Sequence, residues 1–155
     1  MRNSTRKMNR RGISMVELMV VTLVMGIMAA VAAPKFAAAL QHHALEMAAK
    51  RIVADLESAR SLAYTTGVSQ TVRFSTSSGR YQHVGLVDPD RPTVSDYTVD
   101  ITDAPYGCAF KNVSNEVLTY NGHGLPNTGT EIIVFLGNIQ RTITVSATTG
   151  RATYL

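Results

Sequence analysis

The side chain with the most chemistry to explain is Glu17. It is the one charged residue in an apolar run of 21 residues, 13–33. An isolated ionised group at the centre of a membrane-spanning helix costs about 2.5–3.5 kcal/mol on insertion scales, so an acid kept in such a run asks for a partner. A cut between Gly12 and Ile13 would supply one. The freed α-ammonium of Ile13, with an ordinary pKa of about 7.7–8.0, would stand four residues from Glu17, on the same side of the first helical turns. In lipid neither charge is stable alone. Together they neutralise each other, most simply between neighbouring helices staggered by a turn.

The remaining reactive residues form no comparable set. His42 and His43 diverge by about 100° around a helix and cannot hold one ion from one face; with His83 and His123 they read as surface residues. Cys108 is the only cysteine, so it closes no intramolecular disulfide, and a lone cysteine of this kind is usually buried. Asp88, Asp90, Asp96 and Asp100 cluster loosely without the calcium-loop pattern D-x-[DN]-x-[DN]-G, which reads as a solvated acidic loop. H-E-x-x-H, G-x-S-x-G and a P-loop are all missing from the sequence. Nothing here argues for an enzyme, a cofactor or a metal.

The elements that must position Glu17 follow from the apolar run itself. As a helix, 21 residues span about 31 Å, close to the ~30 Å hydrocarbon core of a bilayer. Arg2, Arg6, Lys7, Arg10 and Arg11 precede it with no acid among them, and only Lys35 lies in the fifteen residues that follow. This asymmetry puts the N-terminus in the cytoplasm and the rest of the chain outside. An ordinary secretory signal fits less well: the run exceeds the usual ~7–15 residue apolar region, and a signal peptide gives Glu17 no role.

The segment Arg10-Arg11-Gly12-Ile13-Ser14-Met15-Val16-Glu17-Leu18 resembles the N-terminal signature of type IV prepilins and pseudopilins, with Pro34 placed where many of them carry a helix-kinking proline. The resemblance implies cleavage after Gly12 by a prepilin peptidase, N-methylation of Ile13 by the same enzyme, and insertion in the bacterial inner membrane. It also implies assembly with other pilin or pseudopilin subunits on an inner-membrane platform, with Glu17 setting the register. Ile13 stands where phenylalanine is commoner.

Beyond Pro34 the helical pattern resumes, so the proline bends the helix rather than ending it. Leu40, Leu45, Ile52, Leu56, Ala59 and Ala63 make an apolar stripe of mostly helical spacing. Glu46 and Lys50 form a favourable i,i+4 pair, with Lys50, Glu57 and Ser61 off the stripe. Gly67 stops the helix. The division expected is a basic leader at 1–12, a transmembrane and filament-core helix at 13–34, its amphipathic half at 35–66 and a periplasmic β-rich domain at 67–155. Strands are expected at 68–74, 81–87, 97–101, 116–120, 131–136, 139–146 and 151–155, with a tight hairpin at Gly137-Asn138. Short connections favour antiparallel pairing, so the fold class is α+β, a long helix packed on antiparallel sheet.

Leu56-Glu57-Ser58-Ala59-Arg60-Ser61-Leu62-Ala63 followed by Gly67-Val68-Ser69-Gln70-Thr71-Val72 resembles the helix end and first strand of the H-type minor pseudopilin (GspH/FimT) family. Ile143-Thr144-Val145-Ser146 with Thr149-Gly150-Arg151 resembles its last strands. That resemblance implies a minor pseudopilin of a type II secretion system, in a pseudopilus that drives protein export. The alternatives are a FimT-like minor type IV pilin in pilus assembly or DNA uptake, and a tethered or secreted domain that does not assemble.

DNA is the weakest of the partners. The family's G-R-x-R element stands here as Gly150-Arg151-Ala152-Thr153, with its second arginine replaced. The formal charge of +4 belongs to the leader, because residues 35–155 hold ten basic and ten acidic side chains. Arg141 and Arg151 are the candidate DNA contacts, and two charges neutralise few phosphates.

Overall fold

A computed structural model of the chain describes residue 12 and residues 14–88 and 92–155. Its first element, α1, is a 52-residue helix, Met15–Thr66. The first turn closes when the Leu18 N–H donates to the Ser14 carbonyl at 3.1 Å. Pro34 lies inside α1 without ending it. Gly67 ends it: its φ of +69° suits glycine, and its N–H donates to the Ala63 carbonyl at 3.0 Å, satisfying one of the orphaned carbonyls of the last turn.

The chain divides into two compact units, Met1–Ala39 and Leu40–Leu155. In the first, every described residue is exposed, including Val16, Leu18, Met19, Leu23, Ile27 and Val31. So large an apolar surface on one helix is stable in lipid or against other helices rather than in water.

The second unit holds the rest of α1 and eight strands: β1 (Gln70–Ser75), β2 (Arg80–Val84), β3 (Tyr97–Asp100), β4 (Ala109–Val113), β5 (Val117–Tyr120), β6 (Thr130–Leu136), β7 (Ile139–Val145) and β8 (Ala152–Tyr154). They make two four-stranded sheets, ordered β3-β2-β1-β5 and β4-β6-β7-β8, antiparallel at every pairing. Leu45, Ala48, Ala49, Ile52, Leu56, Ala59 and Ala63 line the buried face of α1. They share one core with Val72, Phe74, Leu118 and Tyr120 of the first sheet and Ile132, Val134, Ile143 and Val145 of the second. Phe74 and Phe110 join the sheets edge to face, with ring centroids 5.8 Å apart.

Three expectations need correction. Strand β4 escapes the alternation rule because its register shifts between Phe110 and Asn112. The bulge separates its buried residues, Phe110 and Val113, by three positions where an unbroken strand would keep a period of two. The strand expected to run to residue 87 stops at Val84, where Gly85 turns the chain at φ +79°. Leu40 is 54% exposed and does not belong to the core stripe.

Candidate functional site

Of the residues expected to act at the N-terminus, Gly12 is exposed, and nothing lies within 4 Å of where its Cβ would stand. Ile13 lies outside the described residues. Glu17 occupies the first turn of α1 and is exposed, its neighbours Val16 and Leu18 being 67% and 57% exposed. Five residues after Glu17 the polar demand is met locally, because the Thr22 hydroxyl donates to the Leu18 carbonyl at 3.0 Å. A hydroxyl bonded back to its own helix costs little in an apolar setting. A carboxylate has no hydrogen to donate in this way.

The two arginines weighed for DNA contact are not brought together. Arg141 lies in β7 opposite Val134. Arg151 precedes β8, and its carbonyl accepts from the Ser146 N–H at 3.0 Å. Five residues of strand separate Arg141 from Ser146, about 17 Å, so the pair presents no common patch.

Burial revises several side chains. His83, expected at the surface, is 4% exposed with Nε2 3.0 Å from Gln70 Oε1. Burial pushes its pKa below the ordinary histidine value, partly opposed by Asp55. The folded protein therefore favours neutral His83, and the unfolded chain binds more protons once the pH falls below about 6.5. Stability present at neutral pH is expected to fall as the pH drops through and below 6.5. Thermal unfolding of wild type and His83→Gln at pH 7, 6 and 5 should show a shallower decline in the variant.

The acidic loop is likewise not simply solvated. Asp88 is 3% exposed, Asp96 Oδ1 accepts the Gly85 N–H at 2.8 Å, and Asp100 accepts from Arg80 and Thr102. Those donors hold the Asp100 carboxyl down at about 2. Asp90 lies outside the described residues. Among the described residues no three His, Cys, Asp or Glu side chains gather where they could hold one metal ion. Cys108 is buried, and burial pushes its thiol up to about 11.

Sequence reasoning missed the polar ties between α1 and the sheets. Tyr81 donates its hydroxyl to Asp55 Oδ2 at 2.6 Å, and Arg51 reaches both Asp55 and the Tyr97 hydroxyl. Glu57, placed off the apolar stripe, accepts the Ala152 N–H at 2.7 Å through one oxygen and Arg60 Nη1 at 3.0 Å through the other. It thereby pins the last strand to the helix. Glu57→Ala would leave a nearly buried N–H unsatisfied, at a cost of about 1–3 kcal/mol. Glu46→Ala removes only the exposed pair with Lys50 and should stay within about 0.5 kcal/mol. Chemical denaturation of both variants checks the contrast. Spacing along the helix could not mark Glu57, because its partner is 95 residues away.

A fully exposed apolar helix with an acid in its first turn, continued by a helix wrapped in antiparallel sheet, defines a pilin-like structural subunit. Residues 48–149 match the family described as Type II transport protein GspH, and residues 7–33 match the prokaryotic N-terminal methylation motif. The chain belongs to the GspH family. Among solved structures it is similar to the type IV minor pilin FimU of Pseudomonas aeruginosa, at 18% identity and a TM-score of 0.56 over 72% of this chain and 88% of that one. It is also similar to the minor pseudopilin EpsH from the Type 2 Secretion System of Vibrio cholerae, at 13% identity and a TM-score of 0.55 over 72% of this chain and 95% of that one. At these identities the likeness is one of fold. Comparison with curated proteins finds no significant match. The motif and the fold imply processing by a prepilin peptidase and assembly with other pilin subunits.

Proposed function

We propose that the chain is a minor pseudopilin of a type II secretion system, anchored in the bacterial inner membrane with its N-terminus cytoplasmic and residues 67–155 periplasmic. The observation that carries this reading is the match of residues 48–149 to the type II transport family, joined to a leader and helix of prepilin type. Its work is mechanical. Cleavage between Gly12 and Ile13 frees the α-ammonium, which is then methylated. Glu17 pairs with that ammonium on a neighbouring subunit, and Pro34 gives the helix a point of bending where filament core meets domain. The β-rich domain contacts the other subunits. No step requires a catalytic group of this chain.

Deleting the gene in its host, with wild-type complementation, tests the reading. Loss of protein export with surface pili intact is the expected result. Loss of pili with export intact would overturn it in favour of a type IV minor pilin, a reading supported by the shared fold with FimU. If DNA uptake is lost instead, salt-sensitive DNA binding that disappears in Arg151→Ala would place the chain in transformation.

A further inference from the structure

Strand β8 is only three residues long, Ala152–Tyr154. It gives the core the buried Ala152 and the partly buried Tyr154. Thr153 and Leu155 face outward, Leu155 being 90% exposed. An element with so few buried side chains opens ahead of the rest of its fold. The ladder to β7 shows what such an opening bares. Leu155 and Thr142 exchange both of their hydrogen bonds, at 3.0 and 3.3 Å. By antiparallel alternation the next such pair is Thr153 with Thr144. The N–H groups of Thr142 and Thr144 therefore point to β8, and those of Arg141, Ile143 and Val145 point to β6.

A chain of contacts on its other edge holds β8 in place. The Ala152 N–H points away from β7 and donates to Glu57 Oε1 at 2.7 Å. Glu57 Oε2 accepts from Arg60 Nη1 at 3.0 Å. The Arg60 stem is wedged between two glycines: a Cβ on Gly124 would stand 3.4 Å from its Cγ, and one on Gly150 3.2 Å from its Cδ. The 146–150 turn closes on itself, the Gly150 N–H donating to the Ser146 carbonyl at 2.8 Å. It keeps its shape without β8, so the hinge of an opening strand lies just beyond Arg151. All of these contacts belong to the compact unit Leu40–Leu155.

We propose that residues 152–155 form a releasable strap over the edge of β7, that Glu57 is the catch that keeps it closed, and that the edge, once bared, pairs with β7 of a second copy of the chain. The composition of β7 selects that partner. Ile139–Val145 carries one charge, Arg141, and neither proline nor glycine, and a bare edge on such a strand is a template for its own kind. Two β7 edges meeting antiparallel are related by a two-fold axis and are self-complementary. With the axis near Thr144, each Arg141 stands opposite Ala147, so the two arginines do not face each other. The closed strap thus keeps separate copies from joining edge to edge.

The test is amide hydrogen exchange of the full-length chain in detergent micelles, read residue by residue by NMR, with β7 as its own control. The Thr142 and Thr144 amides should exchange roughly tenfold or more faster than those of Ile143 and Val145. Glu57→Ala removes a hydrogen bond to a charged acceptor and should speed Thr142 and Thr144 by roughly a further tenfold. Glu57→Gln keeps a carbonyl oxygen for Ala152 and should speed them less, with Ile143 and Val145 unchanged. Equal rates for the alternating amides of wild-type β7 overturn the strap. So does an equal speeding of all of them in Glu57→Gln, because β8 then opens only with the whole domain. Thr144→Cys puts a thiol on the exposed side of the edge, while Cys108 stays buried. A short bis-maleimide should capture little covalent dimer with Glu57 in place and severalfold more with Glu57→Ala. Local opening with no gain in dimer overturns the second copy as the occupant of the edge.

Discussion

Glu17→Ala is expected to leave the chain processed and membrane-bound but missing from filaments. In the proposed function, leader removal gives each subunit an α-ammonium at Ile13 within an apolar filament core, and Glu17 is the only acid in the run 13–33 to meet it. Taking one partner from a buried ion pair costs about 3–5 kcal/mol, which is more than a hundredfold in the equilibrium for docking. Glu17→Gln keeps shape and hydrogen bonding while removing charge, and should fail almost as fully. The measurement is the ratio of chain in sheared filaments to chain in membranes, with the mature mass taken in parallel. Normal assembly of Glu17→Ala would remove the charge pair from the account and leave the acid unexplained.

Gly150→Ala is expected to destabilise the domain strongly. Gly150 has φ +69°, a region that costs an L-residue about 1–2 kcal/mol. A Cβ there would also lie 2.4 Å from the Gly124 carbonyl oxygen and 3.2 Å from Arg60 Cδ and Pro126 Cδ. The nearest obstacle is backbone and cannot rotate away. With about 1–3 kcal/mol for overpacking, the total is about 2–5 kcal/mol, which lowers the melting temperature by roughly 10 °C in a chain of this size. Gly85→Ala is the control. Its φ is +79° but its Cβ position is open, so it should show the backbone cost alone. Thermal unfolding of the two variants separates conformation from clash. Equal shifts would mean that the 146–151 turn moves aside and that the Gly124–Gly150 contact is soft.

That contact also explains a motif. Gly150-Arg151 resembles the start of a DNA-contact element, yet the glycine has a packing reason to be there. It lets the last turn close against Gly124 and the Arg60 stem, next to the point where Glu57 takes the Ala152 N–H. The arginine that follows stands about 17 Å of strand from Arg141, so position in the fold weakens a nucleic-acid footprint that was already thin in charge.

The N-terminal half was readable because its constraints are local. The basic residues, Gly12, Glu17 and Pro34 sit within about thirty residues, and residues 7–33 match the N-terminal methylation motif. The amphipathic half of α1 was readable for the same reason, except at Leu40, where the apolar pattern runs on past the start of the core. The β domain was only partly legible. Strands β6 and β7 alternate cleanly and are joined by Gly137-Asn138, so they stood out, whereas β4 hides behind a bulge. The division into two sheets is fixed by non-local pairings such as Gln70 with Tyr120, which no local signal encodes. His83 and Asp88 were misread together. Each is a polar residue whose burial depends on a partner or a wall that the linear sequence does not place beside it.

The central claim is that this is a prepilin-type subunit cut between Gly12 and Ile13, and the mature N-terminus tests it most directly. The chain should be isolated from the membranes of its host and its N-terminal peptide taken by mass spectrometry. The account predicts a chain that begins at Ile13 and carries one added methyl group on its amine, with Gly12→Val retaining residues 1–12. A mature chain that begins at any other residue, or that keeps its leader in cells with an active prepilin peptidase, would contradict it.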